Sequence, residues 1–370
     1  MLLQPDDGPI PGHHYLQSTP ESVTWGYLPN AVARAVLTVE PGDAVTVDTI
    51  SHEGVLEDQG RDPLAYFGAH EVPRTEVLTD AITLAACDLA HDFDVDGPHV
   101  VTGPIAVRGA RPGDVLKVEV LDLSLRTPYG VISNRHGLGA LPGEFPEGPA
   151  RADDACAERP DGYGSVMLFS TVERRGDDLI GVLPYGDGRA VRFPLAPFMG
   201  IMGVAPATDE PVHSVPPGAH GGNIDVNLLN TGSTLFLPVQ VDEALFHVGD
   251  PHYAQGDGEV ALTAMEASLR GTFRFSVLHG TDAQAACGLL SQPFVETADA
   301  WVPMGLDEDL NEAMRKAVRA AVAFLHETQG MPRHVALAYL SAAGDFEVSQ
   351  VVDSVKGVHC VIRKQDFAPW

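Results

Sequence analysis

The sequence predicts a mainly β fold with two helices near its C-terminus, on three observations. The 38 glycines and 29 prolines are spread along the chain instead of gathered in one linker, which divides it into many short segments. Most of those segments are rich in β-branched residues and bounded by turn formers, the pattern of strands. Only beyond residue 305 do apolar residues recur at clear helical spacing.

In chain order, Ala35-Val-Leu-Thr-Val39 and Ala44-Val-Thr-Val-Asp-Thr-Ile50 flank Pro41-Gly42-Asp43, and the Pro-Gly turn predicts that they pair as a hairpin. Gly103-Pro-Ile-Ala-Val107 and the strand opening at Val115 flank Ala110-Arg-Pro-Gly-Asp114 in the same way, so a repeated unit is expected. Residues 128–160 are dense in Gly, Pro, Asp and Glu without periodicity, which predicts a surface excursion, a candidate lid. Strands resume at Gly164-Ser-Val-Met-Leu-Phe169, Ala190-Val-Arg-Phe-Pro194, Thr234-Leu-Phe-Leu-Pro-Val239 and Phe273-Arg-Phe-Ser-Val-Leu278. Leu310, Met314, Ala317, Val318, Ala321, Val322 and Leu325 then mark a helix, preceded by Asp307, Glu308 and Asp309 and closed by Gly330. Pro332, at a first helical position, opens a second helix that Gly344 is expected to end in a left-handed cap.

The charge excludes one class of partner. Against 51 acidic side chains stand 23 basic ones, a net charge of −28, so the surface repels polyanions and no nucleic-acid partner is expected. The four cysteines, Cys87, Cys156, Cys287 and Cys360, form neither a C-x-x-C pair nor a compact disulfide framework. With no signal-peptide pattern and no run of apolar residues long enough to span a bilayer, the expectation is a cytoplasmic chain without a membrane partner.

P-loop, dinucleotide, H-E-x-x-H and G-x-S-x-G signatures are all missing, which argues against nucleotide binding, helical zinc sites and serine catalysis. Asp92-Phe-Asp94-Val-Asp96-Gly97 opens like an EF-hand loop, but Gly103 stands where the bidentate Glu is needed. A solvated acidic turn is the simpler reading, with a looser metal role for Asp92, Asp94 and His99 left open. A thiol amidase using Cys360 with His359 is disfavoured because adjacent strand residues face opposite sides.

The chemistry concentrates in two stretches. His247-Val-Gly-Asp250-Pro-His252 through Asp257-Gly-Glu259 places imidazoles and carboxylates among glycines, the ligand types of a catalytic divalent cation. Such a cation would activate water, with Glu259 or Asp257 moving the proton. Upstream, His220-Gly-Gly-Asn223-Ile-Asp225 puts Asn223 and Asp225 on one face of an extended segment. Asn223 is then a candidate oxyanion donor, and Asp225 a ligand or orienting group. Turns with capping or exposed histidines are the bland alternative.

Several motifs in register resemble the acetamidase/formamidase family: Thr102-Gly-Pro-Ile105, Gly109-Ala-Arg-Pro-Gly-Asp114, Pro197-Phe-Met-Gly-Ile-Met-Gly-Val-Ala-Pro206, His220-Gly-Gly-Asn-Ile-Asp225, Gly249 to Val260, and Ser349-Gln-Val-Val-Asp353 with Gly357-Val358. The match spans nearly the whole chain. It implies hydrolysis of a small amide or lactam, a homo-oligomer of trimer size or larger, and a sandwich or jelly-roll-like β architecture with an added α+β portion. It also implies a divalent cation, zinc ahead of calcium, without fixing its ligands; the two residue stretches themselves offer His220, Asp225, His247, Asp250 and His252 as the ligand pool and Asn223, Asp257 and Glu259 as catalytic candidates. Ser51-His52-Glu53-Gly54 departs from the family pattern and leaves substrate choice open. The expected division is residues 1–200 as the mainly β portion and 201–370 as the portion carrying the site, with one integrated unit as the alternative. A non-catalytic protein holding a small ligand or a structural metal is the rival from another class.

Overall fold

A computed structural model describes residues 2–368. Among the described residues two large sheets face each other, one of nine strands and one of eleven. The first runs, in spatial order, through His14–Leu16, Ala44–Asp48, Leu269–Leu278, Val115–Leu125, Thr234–Pro238, Phe294–Glu296, Ala300–Asp307, Lys356–Arg363 and Asp345–Gln350. The second runs through Ala190–Pro194, Asp178–Pro184, Val166–Arg175, Tyr129–Asn134, Met265–Glu266, Phe246–Ala254, Phe198–Gly203 and Gly221–Asn223. Strand Val100–Val107 joins it by pairing with Phe246–Ala254, and carries Val23–Trp25 and Leu37–Val39 in turn.

The core lies between the sheets. Val45, Val47, Leu116, Val118, Phe273 and Phe275 of the first meet Ile105, Val107, Phe198, Met202, Phe246 and Val248 of the second, all buried. Alternation along each strand delivers these side chains to one face, which is the two-layer solution to burying a sheet. Strands from both sides of residue 200 contribute to each sheet and to this core.

The expected hairpins are not formed. Leu37–Val39 pairs in parallel with Val100–Val107 in the second sheet, while Ala44–Asp48 pairs with Leu269–Leu278 and His14–Leu16 in the first. Likewise Val100–Val107 lies in the second sheet and Val115–Leu125 in the first. Each Pro-Gly-Asp turn is therefore a corner that carries the chain from one layer to the other. The shared chemistry is real: Asp43 Oδ2 accepts from Glu40 N at 3.0 Å and Asp114 Oδ2 from Arg111 N at 2.9 Å. Local turn chemistry is identical in a hairpin and a corner, so only the pairing partners tell them apart.

The two late helices are present. Leu310–Gln329 starts at Asp309, whose side chain accepts from Glu312 N, and ends at left-handed Gly330. Arg333–Ala343 follows, with Pro332 at its N-cap and not inside its first turn, and Gly344 is extended (φ −85°) instead of left-handed. Ala321, Phe324, Leu325, Ala336 and Leu340 pack on Phe236, Phe294, Cys360 and Ile362, covering the outer face of the first sheet. Three short helices, Pro63–Ala69, Thr79–Ala86 and Gly280–Cys287, were not anticipated. Two to three turns give too few repeats for periodicity to register. The excursion expected at 128–160 begins later, because Tyr129–Asn134 is a strand paired with Val166–Arg175. No helix among the described residues is long and apolar enough to cross a membrane.

Candidate active site

Strand Phe246–Ala254 runs antiparallel to Phe198–Gly203, setting His252 opposite Phe198 and His247 opposite Gly203. Between those points Asp250 leaves the regular ladder, with φ 51°. Asp225 (φ 47°) and Glu259 (φ 46°) share that left-handed conformation. It is uncommon for side chains beyond glycine and tends to gather at functional sites, and here it turns three carboxylates toward one place. Gly200 makes the space. A Cβ there would lie 2.5 Å from both Asp225 Oδ1 and Asp250 Oδ2, and 2.9 Å from His252 Cε1.

The polar groups form one connected cluster. Asp250 Oδ2 lies 3.0 Å from His252 Nε2, which is also 3.1 Å from Glu266 Oε1. Asp250 Oδ1 lies 3.5 Å from His52 Nδ1 and 3.7 Å from His99 Nε2. Behind these rings, His99 Nδ1 meets Ser214 Oγ at 2.9 Å, and His52 Nε2 lies 3.3 Å from Glu53 Oε1 without forming a hydrogen bond. Glu53 is fixed in turn by Ser133 Oγ, which donates at 2.6 Å, by Gln59, and by Arg135 Nη2 at 3.4 Å. On the other flank, Asp225, His252 and Glu259 present ligand atoms within 4.8 Å of one another, and Asp353 lies close enough to Asp225 for the two carboxylates to repel. Gln255 braces this side, meeting His252 Nδ1 at 3.0 Å through Oε1 and donating to Asp225 O at 3.0 Å.

Burial and charge divide the ionisable groups. Burial pushes Asp225 and Glu259 well above the usual carboxylate range, and their mutual repulsion with Asp353 adds to it. Burial likewise raises Glu266, and Asp353 to about 7. For Asp250 burial acts the same way, but His252 and His99 outweigh it and hold the carboxyl well below its ordinary value. Burial would lower His52, yet Asp250 and Glu53 raise it to about 10, whereas burial takes His99 down to about 3.

This arrangement fits a divalent cation. Among the described residues fifteen buried side-chain polar atoms lack a hydrogen-bond partner, and eight belong to His52, Asn223, Asp225, Asp250, Glu266 and Asp353. Buried polar groups are normally satisfied, so this concentration of exceptions leaves several donor atoms free to ligate. His52, His99 and Asp250 offer two imidazoles and one carboxylate within 4.8 Å of one another, facing the cleft. That is a donor set for zinc, and Glu53 and Ser214 behind the rings supply the outer contacts that orient metal-binding histidines.

The cleft over this floor has a volume of ≈ 290 Å³. Its walls are largely apolar, with Leu56, Phe93, Pro98, Leu138, Leu262 and Val352, while Asn223, Glu259 and Asp353 reach it among the polar groups. Arg135 and Leu138, at the start of the irregular excursion, border it. The volume is at the low end of the roughly 300–1,000 Å³ of small-molecule sites.

Of the residues singled out in the sequence, Asp225, Asp250, His252, Glu259 and Asn223 come together here. His220 and His247 lie apart from the cluster: a Cβ on Gly203 would meet His247 Nε2 at 2.8 Å and His220 O at 3.0 Å, at the far end of the strand. Burial lowers these rings to about 4 and about 3. Asp257 sits outside the cleft, accepting from Asn227 Nδ2 at 3.0 Å. Sequence reasoning missed His52, Glu53, Glu266, Asp353 and Gly200 as site residues. They come from four separate segments; Gly200 and Asp353 lie inside motifs that carry the family resemblance, and His52 and Glu53 inside the segment that departs from it, but no local pattern marks them as site residues. His99 had been weighed only with the acidic turn, where Asp94 instead pairs with Arg151.

The family model described as Acetamidase/Formamidase family matches residues 84–211 and 207–363. A formamidase of Methylophilus methylotrophus is 31% identical over 201 residues, covering 46% of this chain and 49% of that protein. An acetamidase of Mycolicibacterium smegmatis is 27% identical over 205 residues, covering 46% and 50%. The chain thus spans about half the length of these relatives in the matched region. The crystal structure of an acetamidase from Bacillus halodurans is similar over 95% of this chain and 98% of that one, with TM-score 0.70 and 26% identity.

Proposed function

Because the chain belongs to the acetamidase/formamidase family, we propose that it hydrolyses a short linear amide such as formamide or acetamide to the acid and ammonia. The observation that carries this reading is the convergence of His52, His99, Asp250, His252 and Glu259 beneath a small apolar-walled cleft. A cation held by His52, His99 and Asp250, zinc ahead of calcium, would supply Lewis acidity, polarising the amide carbonyl and acidifying water.

The chain's own groups account for binding and proton traffic. The apolar walls take the substrate's methyl or hydrogen end and exclude bulk water, which strengthens the polar contacts within. Asn223 lines the cleft, and its side-chain amide can donate to the carbonyl oxygen as negative charge develops there. When water oxygen bonds to the carbonyl carbon, its proton passes to the Glu259 carboxylate; as the C–N bond breaks, Glu259 returns a proton to nitrogen, releasing ammonia. Burial, with Asp353, Glu266 and Asp250 adding their repulsion, raises the proton affinity of Glu259 above that of an ordinary carboxylate. His252 and Gln255 hold Asp250 and Asp225 in position. Asp257, outside the cleft, has no part in this scheme.

Two further parts of the reading concern setting. Leu168 and Val191 are exposed on the antiparallel strands Val166–Arg175 and Ala190–Pro194, and Tyr185 in the turn after Asp178–Pro184, which supports assembly as a homo-oligomer. Four unpaired cysteines suit a reducing compartment such as the cytoplasm.

Ammonia release from formamide, acetamide and a small lactam, before and after chelation, tests the proposal. Turnover of a linear amide that stops on chelation and returns with zinc is the expected result. Failure to hydrolyse any amide at verified metal content would overturn the activity, and turnover indifferent to chelation would overturn the cation's role.

A further inference from the structure

Outside the cleft, a second set of ligand-type groups converges where the loop after strand Phe246–Ala254 meets the far edge of the first sheet. Glu347 and His359 are directly paired across strands Asp345–Gln350 and Lys356–Arg363, so their side chains share one face. Asp257 approaches from the loop, and ligand atoms of the three lie within 4.8 Å of one another. We propose that Asp257, Glu347 and His359 form a second divalent-cation site, distinct from the cleft and selective for a zinc-like ion.

The histidine carries the argument. His359 is 0% exposed, a position where an imidazole is normally satisfied at both nitrogens. Ser349 Oγ holds Nδ1 at 2.8 Å, fixing the ring, but Nε2 has no hydrogen-bond partner and points into the gap, 3.3 Å from Glu347 Oε2. A buried ring nitrogen without a hydrogen-bond partner beside two carboxylates is a ligand set with room for water. The imidazole favours zinc and related ions over magnesium or calcium, which take oxygen ligands.

The position gives the site a consequence. Gly258 N donates to Ser349 O at 3.1 Å, Val351 N to Gly258 O at 3.2 Å, and Gln255 Nε2 to Ser349 O at 3.1 Å. A cation joining Asp257 to Glu347 and His359 adds a tie between this loop and the sheet edge. Glu259 lies two residues further along, so occupancy stiffens the segment that carries it.

Zinc titration of the metal-stripped full chain against a chromophoric chelator tests this. In the Asp250→Asn variant, which disables the cleft, one zinc equivalent should remain. Adding Glu347→Gln or Asp257→Asn to that variant should weaken this remaining equivalent at least about ten-fold. Both replacements are isosteric at partly exposed positions, and far-UV circular dichroism verifies folding. Absence of any bound zinc in Asp250→Asn, or binding unaffected by either second substitution, would overturn the proposal. Because the readout is zinc binding, its failure is separate from failure of amide turnover.

Discussion

Gly200 shows how one residue can set a site without offering any functional group. Asp225 and Asp250 approach it so closely that even a methyl would sit 2.5 Å from an oxygen of each. Gly200→Ala must therefore displace both carboxylates and, through Asp250, the His52 and His99 rings. Misplacement on the scale of 1 Å can lower a rate by about 100-fold, so a loss of that order in kcat/KM is expected. Steady-state kinetics beside an unchanged circular dichroism spectrum would verify it, and wild-type activity would refute the packing account. The residue sits within the Phe-Met-Gly-Ile-Met-Gly motif, yet nothing in that string reveals why glycine is required. The reason lies in side chains from positions 225 and 250, brought over it by the sheet.

At the scale of elements, strand composition and turn chemistry were legible, and strand partners were not. The Pro-Gly-Asp segments do turn the chain, and Gly42 and Gly113 take φ 101° and 95° as such turns demand. What they join is set by long-range pairing, since Ala44–Asp48 finds Leu269–Leu278 more than two hundred residues away. Gly42→Ala isolates the local contribution, because an added Cβ would meet nothing within 4 Å. Only backbone strain remains, and a loss of about 1–2 kcal/mol in urea denaturation is expected. A neutral substitution would mean that the corner relaxes freely. The long helix was readable for the complementary reason: its apolar face, its Asp309 cap and its Gly330 stop are all local signals.

At the scale of the whole molecule, the net charge of −28 creates a field that repels anions but exerts no net long-range force on a neutral amide. We expect kcat/KM for acetamide to change less than about two-fold between roughly 0.02 and 0.5 M salt, a range over which screening grows strongly. Any binding of an anionic amide such as oxamate should tighten as salt rises, since screening weakens its repulsion. Parallel salt series for both would decide, and a steep salt dependence for acetamide would show that charged groups in the chain rearrange instead. By itself the sequence determined the β-rich class, the late helix pair, and the candidates Asn223, Asp225, Asp250, His252 and Glu259, which lie in two compact stretches. Spacing along the chain carries that much because neighbours within a few residues remain neighbours in space. Only the tertiary structure decided that His52, His99, Glu266 and Asp353 join them while His220, His247 and Asp257 stand apart. Which distant segments the sheets align, and which way a left-handed Asp250 turns its carboxylate, depend on the packing of the two layers and are written in no local pattern.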